Sequence, residues 1–326
     1  MGSTTSRQYA IVSGLMAVDH RIDLPADEYL RICRARELVI EAFVIEELFA
    51  ISWRDYEDFS RFIEAELMSK LARDKPENWP GAMDRLFEVN RKLTHLLGTS
   101  TGYLESTETT LRRLFKKEPA LAEMFSKMKK RRNQDQVEGK LWRLLRGHAL
   151  HKGIPSPGLN FNSTLVSEFG DPNVRVAHRV DVRIEKSSIQ GRDITAEDRN
   201  LLLSLATEQD ARTLAYSQIH ATAVIHNELT EQLRPRIEEA TMILRDAMQR
   251  FAELSGSTEL HPMLVSFVDS DKPLEEIHLS MQWSDRYEAL RASRRPLPPA
   301  PKPIEVTKAT SHKAAGTDSS NPSDVI

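Results

Sequence analysis

One short segment of the sequence, Arg146-Gly-His-Ala-Leu-His151, combines side chains that suit phosphodiester chemistry. The planar guanidinium of an arginine can hold a phosphate through two parallel hydrogen bonds. An imidazole can carry protons near neutral pH, as general acid–base catalysis requires. Arg146 and His151 are therefore the first candidates for a catalytic pair.

The spacing of Arg146 and His151 restricts how the two side chains could meet. Five residues on a continuous α-helix separate two side chains by about 140° around the axis and about 7.5 Å along it. One regular helix cannot aim both groups at one small target. Either the helix is distorted near Gly147 and Gly153, or a second copy of the segment faces the first across a two-fold interface. The second arrangement gives a composite site of two arginines and two histidines.

Three stretches of sequence surround the candidate pair: Leu97-Gly-Thr-Ser-Thr-Gly-Tyr-Leu-Glu-Ser-Thr-Glu108, Leu111-Arg-Arg-Leu114 and Leu145-Arg-Gly-His-Ala-Leu-His-Lys-Gly-Ile-Pro155. Together they resemble uncharacterised bacterial members of the HEPN superfamily, in which a bundle helix ends in Arg-x4-His. The resemblance covers about residues 85–160. Active HEPN proteins are metal-independent RNases, toxins and anti-viral effectors. The resemblance therefore implies an RNA substrate, a homodimer, and a cognate antitoxin or other protein partner.

The resemblance also implies a role for each residue of the motif. Arg146 would bind or polarise the phosphate, and His151 would act as general acid or base while the ribose 2′-OH attacks the adjacent phosphate. This chemistry requires RNA because DNA lacks that hydroxyl. HEPN nucleases usually have Asn, Asp or His directly after the arginine, where this chain has Gly147. The supporting or RNA-binding candidates are Arg143, His148, Lys152, Glu105 and Glu108.

Two other interpretations of the segment stay open from the sequence. A catalytically inactive HEPN-like module would bind RNA, a nucleotide or a protein partner. In a structural helical scaffold, Arg146 and His151 would only be cations that stabilise a helix C-terminus. His148 and His151 form an i, i+3 pair without a third ligand at convincing spacing, so neither a metal nor a cofactor is predicted. His220 and His226 lie on a helical segment without a partner motif, and no role is predicted for them.

Composition and charge add a few limits. The chain has 326 residues, of which 40% are hydrophobic and 29% charged, as in globular proteins. It has one cysteine, no long apolar run and no secretory signal, so we expect a cytoplasmic protein without a membrane span. Residues 111–152 carry 13 basic and 4 acidic side chains. That excess is either a phosphate-binding surface or a helix face balanced by the acidic residues 1–60.

The periodicity of apolar residues predicts a mainly α (α+β) fold, with an N-terminal helical bundle followed by long helices and a small antiparallel sheet. We predict three regions along the chain. Residues 1–158 form the HEPN-like helical bundle, and residues 159–293 form a helix-plus-small-sheet region packed on it. Residues 294–326 are rich in proline and small polar residues, which predicts a disordered tail.

The pattern also makes finer predictions about individual elements. Strict alternation of apolar and polar residues predicts a strand over residues 174–184. Residues 263–268 and 277–283 predict a hairpin that extends the same sheet. The first long helix is predicted to break near residues 51–53, and a later helix to be interrupted or bent at Pro235.

Overall fold

A computed structural model describes residues 7–14, 20–72, 79–153, 156, 158–166, 173–186, 189, 194–205, 208–258, 261–268, 273–294, 296, 300–302 and 304–309. The helices are α1 (Ala26–Ala72), α2 (Trp79–Leu114), α3 (Ala120–Lys129), α4 (Val137–Lys152), α5 (Ala196–Ser204), α6 (Ala211–Ser255) and α7 (Gln282–Ala292), with a π-helical turn at Lys130–Gln134. The strands are β1 (Arg7–Ser13), β2 (Arg21–Leu24), β3 (Gly158–Leu165), β4 (Asn173–Glu185), β5 (Glu208–Asp210), β6 (Pro262–Val268), β7 (Pro273–His278) and β8 (Ile304–Ala309). The predicted fold class, mainly helical with antiparallel strands, is confirmed.

The three long helices α1, α2 and α6 pack together at the centre of the fold. Ion pairs join Glu66 to Arg85 near one end of α1 and Glu41 to Arg113 nearer the other, so α2 runs antiparallel to α1. Buried apolar side chains form three clusters along these helices. No helix within the described ranges has a stretch long and apolar enough to cross a membrane.

Two of the predicted helix breaks do not occur. The break near residues 51–53 is wrong, because α1 continues through Ser52, which is fully buried. Neither proline nor glycine is present there, and the rings of Phe49 and Trp53, one turn apart, lie 6.0 Å from each other. The helix α6 likewise continues through Pro235, so the predicted interruption does not occur, and a bend there stays a prediction. Pro235 lies on the exposed side of the helix, where the loss of one backbone hydrogen bond is tolerated.

The strands form two small antiparallel sheets. The first has the strand order β2-β1-β6-β7, and the second has the order β3-β4-β5, with β8 also paired to β4. The strand predicted over residues 174–184 is confirmed as part of β4, and the predicted hairpin is confirmed as β6 and β7.

The hairpin differs from the prediction in two respects. Its second strand is Pro273–His278 rather than residues 277–283, because a new helix begins at Gln282. It also belongs to a different sheet from β4, since β1 pairs along the whole of β6, with Ala10 opposite Val265. No strand was predicted over Arg7–Ser13, where the short strand β1 lies. The position beside β6 is therefore occupied by a strand that was not expected.

The C-terminal region also differs from the prediction. Ile304–Ala309 forms β8 against β4, so a disordered tail from residue 294 is wrong for these residues. Three of the six residues of β8 are β-branched, which favours an extended strand. Residues on both sides of the predicted boundary at residue 158 share core clusters, as Leu141 does with Val180.

Candidate functional site

The core fixes one face of α4, the helix that carries the Arg146–His151 segment. Trp142 and Leu145 are buried, and Trp142 Nε1 donates a hydrogen bond of 3.1 Å to Ser100 Oγ on α2. The helix ends at Lys152 and is followed by Gly153, whose φ of 96° lies in the region that favours glycine. The segment is therefore held at a well-defined helix end.

Within one chain, the two candidate catalytic residues point in different directions. The helix α4 is unbroken from Val137 to Lys152, so it is not distorted at Gly147. The directions of Arg146 and His151 therefore differ by about 140°. The first of the two arrangements considered from the sequence is wrong, because its helix distortion is not present. A second copy of the chain is the remaining way to bring an arginine and a histidine together.

Arg146 is bound by Glu105 of α2. Its Nη1 and Nη2 atoms lie 3.3 and 3.5 Å from the two carboxylate oxygens of Glu105. The side chain of Arg146 is 30% exposed and that of Glu105 is 57% exposed. Exposed pairs of this kind contribute roughly 0–1 kcal/mol, so a phosphate could compete with Glu105 for the guanidinium. The imidazole of His151 is exposed at the end of the helix.

Glu108, the second acidic candidate, is engaged elsewhere. Its carboxylate accepts a 2.7 Å hydrogen bond from Arg112 and further hydrogen bonds from Ser126 and Lys129 of α3. Burial raises the pKa of Glu108, but the hydrogen bonds from these three partners outweigh burial and lower the pKa to about 2. Glu108 therefore fastens α3 to α2, and of the two acidic candidates it is Glu105 that contacts Arg146.

The other candidates lie around α4 without forming one cluster. Arg143 donates a 2.7 Å hydrogen bond to Asp198 in the first turn of α5. His148 is partly buried, and its Nδ1 atom has no hydrogen-bond partner among the residues that the structure describes. The side chain of Lys152 lies outside the described part of the chain. No other candidate is thus found beside both Arg146 and His151.

Ion pairs neutralise much of the positive charge of residues 111–152. At least seven of the 13 basic side chains are paired with a carboxylate, and each of those carboxylates lies outside this stretch. The seven are Arg112, Arg113, Lys129, Arg132, Lys140, Arg143 and Arg146. Glu37 and Glu41, which bind Arg113, belong to the acidic N-terminal region, as the balanced-face interpretation expects. More than half of the basic side chains of this stretch are therefore balanced by carboxylates from elsewhere in the fold.

A second constellation of ionisable side chains lies inside the bundle, where no site was predicted. His226 of α6 is fully buried, with Nδ1 at 2.7 Å from Tyr103 Oη and Nε2 at 3.2 Å from Glu46 Oε2. Arg294, which follows α7, donates a 2.6 Å hydrogen bond from Nε to Glu46 Oε1. The ring of Phe49 stacks on His226, with centroids 3.9 Å apart. We call these four polar side chains (Glu46, Tyr103, His226 and Arg294) the core network.

The core network has a defined charge distribution at neutral pH. Burial alone raises the pKa of Glu46, but the hydrogen bonds from His226 and Arg294 outweigh burial and lower it to about 2. Burial is also the largest effect on His226, and with the charges of Arg294 and Arg291 it lowers the pKa to about 4, against the opposing effect of Glu46. Glu46 is therefore negative, Arg294 positive and His226 neutral. Nε2 of His226 faces the carboxylate of Glu46 and the guanidinium of Arg294, while Nδ1 faces the hydroxyl of Tyr103.

No protein-family model, curated protein or solved structure matches the chain. The comparisons therefore do not support either the α4 end or the core network as an active site. Within the described ranges, no group of three or more His, Cys, Asp and Glu side chains is arranged to hold a metal ion.

The geometry of the core network favours a structural role. A cleft of about 230 Å³ lies beside it and is lined in part by Glu46, Trp53 and Arg294. Of the four members, Arg294 alone reaches the surface, with 24% of its side chain exposed. A molecule in the cleft would therefore meet the guanidinium before the imidazole. The network instead joins α1, α2 and α6 to the segment that follows α7.

One signal in the sequence could have indicated the core network. Glu46 lies between Ile45 and Phe49 on the buried side of α1, and His226 follows Ile225 on the buried side of α6. A charged or titratable residue at a core position requires a partner, because an unpaired buried charge is costly. The sequence alone does not identify Arg294 as that partner, since 248 residues separate it from Glu46.

Proposed function

We propose that the protein is a HEPN-like, metal-independent RNase of the cytoplasm that acts as a homodimer. The observation that carries this proposal is the exposed end of α4, where Arg146 and His151 are both accessible but diverge on an unbroken helix. Such a site needs a second copy of the chain, whose His151 would lie beside the Arg146 of the first copy. A role in defence or in a toxin system, with a cognate protein partner, follows from the same resemblance.

In this proposal each residue has one task. Arg146 of one copy binds the non-bridging oxygens of the phosphodiester, displacing the weak contact with Glu105. His151 of the other copy accepts the proton of the ribose 2′-OH, whose oxygen attacks the adjacent phosphorus, and then donates that proton to the departing 5′ oxygen. The products are a 2′,3′-cyclic phosphate and a 5′-hydroxyl, and the reaction needs neither a metal nor a cofactor.

The test is cleavage of single-stranded RNA by purified protein in the presence of a chelator. Arg146→Ala and His151→Ala are each expected to reduce cleavage by at least about 100-fold, because each removes a group that acts on the phosphodiester. Lys140→Ala is the matched control, since Lys140 lies on the same helix and binds Glu197 at 3.0 Å. The roles are wrong if either site variant cleaves like the parent, or if the activity depends on a divalent metal.

A second candidate function is that of an inactive module that binds RNA, a nucleotide or a protein partner. Two observations favour it: Gly147 supplies no polar side chain beside Arg146, and Glu105 already binds the guanidinium. This alternative predicts that the protein shifts a labelled RNA in an equilibrium binding assay but leaves the RNA intact. Retention of binding by His151→Ala, together with its loss in Arg146→Ala, would favour the second function over the first.

A further inference from the structure

A groove lies on the surface beyond the C-terminal end of α2. The helix α2 ends at Leu114, whereas its antiparallel neighbour α1 extends back to Ala26. Arg113 contacts Glu37, so the first three turns of α1 pass beyond the end of α2. The middle of α6 forms the opposite wall of the groove, whose volume is about 600 Å³. The groove therefore continues the line of α2 between two long helices.

The walls of the groove are formed by side chains at helical spacing. From Asp27, the lining residues of α1 recur at i, i+4, i+7, i+8, i+10 and i+11, and from Arg236 those of α6 recur at i, i+3, i+4 and i+7. Ala35 and Ala240 are buried in the floor of the groove. Eleven residues of helix correspond to a length of about 16 Å. The apolar residues of the two walls are Ala35 and Leu38 of α1 and Ala240 and Ile243 of α6, so the apolar floor is about one helical turn long and is flanked by charged side chains.

The rim of the groove has an excess of positive charge. Six basic and four acidic side chains line it, which leaves a surplus of two positive charges. Arg236 is paired with Glu118 at 3.1 Å. Four of the basic side chains make no ion pair with any residue in the described ranges: Arg31, Arg34, Lys116 and Lys117. Asp27 and Glu239 of the rim likewise make no ion pair within the described ranges, so the unpaired side chains offer a partner four positive and two negative charges.

We propose that this groove binds an acidic amphipathic helix of a partner protein. The apolar stripe of that helix would pack on the floor between α1 and α6, where α2 no longer covers them. Carboxylates beside the stripe would meet the unpaired cations of the rim. In this mode of recognition the docked helix supplies apolar anchors at i, i+3 or i+4, and i+7, which would pack on the floor of the groove. The proposal goes beyond the RNase activity and does not depend on it.

The lining of the groove is less suited to an RNA strand. Single-stranded nucleic acids bind through aromatic side chains on which bases stack, together with a basic surface. Phe115 is the one aromatic residue in the lining, and the guanidinium of Arg236 already covers its ring at 4.8 Å from the centroid. The combination of an apolar floor and a basic rim therefore favours the acidic helix over RNA.

The probe for the test is a stapled, fluorescein-labelled peptide helix with a leucine stripe flanked by glutamates. A second peptide carries lysines in place of the glutamates, and a labelled oligo-uridylate represents RNA. Binding to the full chain is measured by fluorescence anisotropy. The glutamate peptide is expected to bind, and Lys116→Glu/Lys117→Glu to weaken its affinity by about tenfold or more. The control, Lys127→Glu/Lys130→Glu, makes the same change of charge on exposed residues outside the groove and should have little effect.

A third variant, Ile243→Asp, places a charge in the apolar floor. Circular dichroism shows whether the helix content of this variant matches that of the parent. Ile243→Asp is expected to abolish binding of the glutamate peptide. The proposal is overturned if the lysine peptide binds as tightly as the glutamate peptide, or if the two double variants weaken binding equally. It is also overturned if the oligo-uridylate alone binds and loses affinity on mutation of Lys116 and Lys117.

Discussion

Arg146 at the end of α4 and Arg294 after α7 each bind a glutamate, but in different surroundings. The pair of Arg146 with Glu105 is 30% and 57% exposed, and its N···O distances exceed 3.2 Å. In the pair of Arg294 with Glu46 the carboxylate is 1% exposed and also contacts His226. The first pair can exchange its partner for a ligand, whereas separating the second leaves a charge inside the bundle.

This difference separates residues that keep the protein folded from residues that are free to act on another molecule. An exposed ion pair contributes roughly 0–1 kcal/mol, whereas removal of one partner of a buried pair costs about 3–5 kcal/mol. A buried histidine beside a glutamate and a tyrosine looks like catalytic machinery by composition. This histidine is buried and its pKa is lowered, so it is neutral at pH 7 and out of reach of a substrate. The core network therefore stabilises the fold.

The largest effect is expected from Arg294→Ala. The substitution leaves Glu46 buried with no cation beside it, so we expect the free energy of unfolding at pH 7 to fall by about 3 kcal/mol. Urea denaturation followed by circular dichroism measures this change. Arg132→Ala is the control, since Arg132 also pairs with a glutamate, Glu228, but the two side chains are 44% and 41% exposed.

A double variant sharpens this prediction. Glu46→Gln removes the buried negative charge, so Arg294→Ala should cost much less in a Glu46→Gln background than in the parent chain. If Arg294→Ala lowers the free energy of unfolding of the parent by less than about 1 kcal/mol, burial does not make the Arg294–Glu46 pair stronger than the exposed Arg146–Glu105 pair.

The second effect is a dependence of stability on pH. The pKa of His226 is lowered from 6.5 to about 4 in the folded chain, so the unfolded chain binds a proton more readily below pH 6.5. Stability is then complete above pH 6.5 and falls as the pH drops toward 4, by about 2–3 kcal/mol. The lowered pKa of Glu46, about 2, continues the loss below pH 4.5.

The control for the pH effect is His226→Gln, which keeps a donor and an acceptor but does not titrate. Its free energy of unfolding should be lower than that of the parent at pH 7 and nearly constant between pH 6.5 and 4.5. An equally steep fall in the variant would show that other groups cause the dependence.

The smallest effect on stability is expected at the α4 end. Arg146→Ala and His151→Ala should each change the free energy of unfolding by less than about 1 kcal/mol, because one side chain forms an exposed pair and the other is exposed. Urea denaturation of the two variants beside Arg294→Ala measures this directly. A loss as large as that of Arg294→Ala would place the α4 end among the elements that hold the fold, and would support the scaffold interpretation.

Local sequence patterns predicted part of this architecture and missed contacts between distant residues. The alternation that predicted β4 and the apolar spacing of α6 are local signals, and both elements are present. The partner of the β6–β7 hairpin was predicted wrongly, because β1 lies some 250 residues earlier in the chain and no local pattern records that pairing. The helix break predicted near Ser52 was wrong because packing of neighbouring aromatic rings supports the helix there.

The candidate sites show the same limit. The divergence of Arg146 and His151 could be derived from helix geometry, and the unbroken α4 now excludes the distorted alternative. Of the two acidic candidates, Glu105 contacts Arg146, whereas Glu108 binds Lys129 instead. The core network was missed because its members come from four separate elements, and a single histidine in a helix gives no sign of the glutamate and arginine that surround it.

The most direct test of the proposed site is the activity of mixed dimers. Arg146→Ala chains and His151→Ala chains are co-expressed with different affinity tags, and dimers that carry both tags are purified and assayed on single-stranded RNA with chelator. A site shared between the copies predicts about half of the parent activity, because the His151→Ala chain supplies Arg146 and the Arg146→Ala chain supplies His151 to one of the two sites. Mixed dimers no more active than either variant alone would contradict the account.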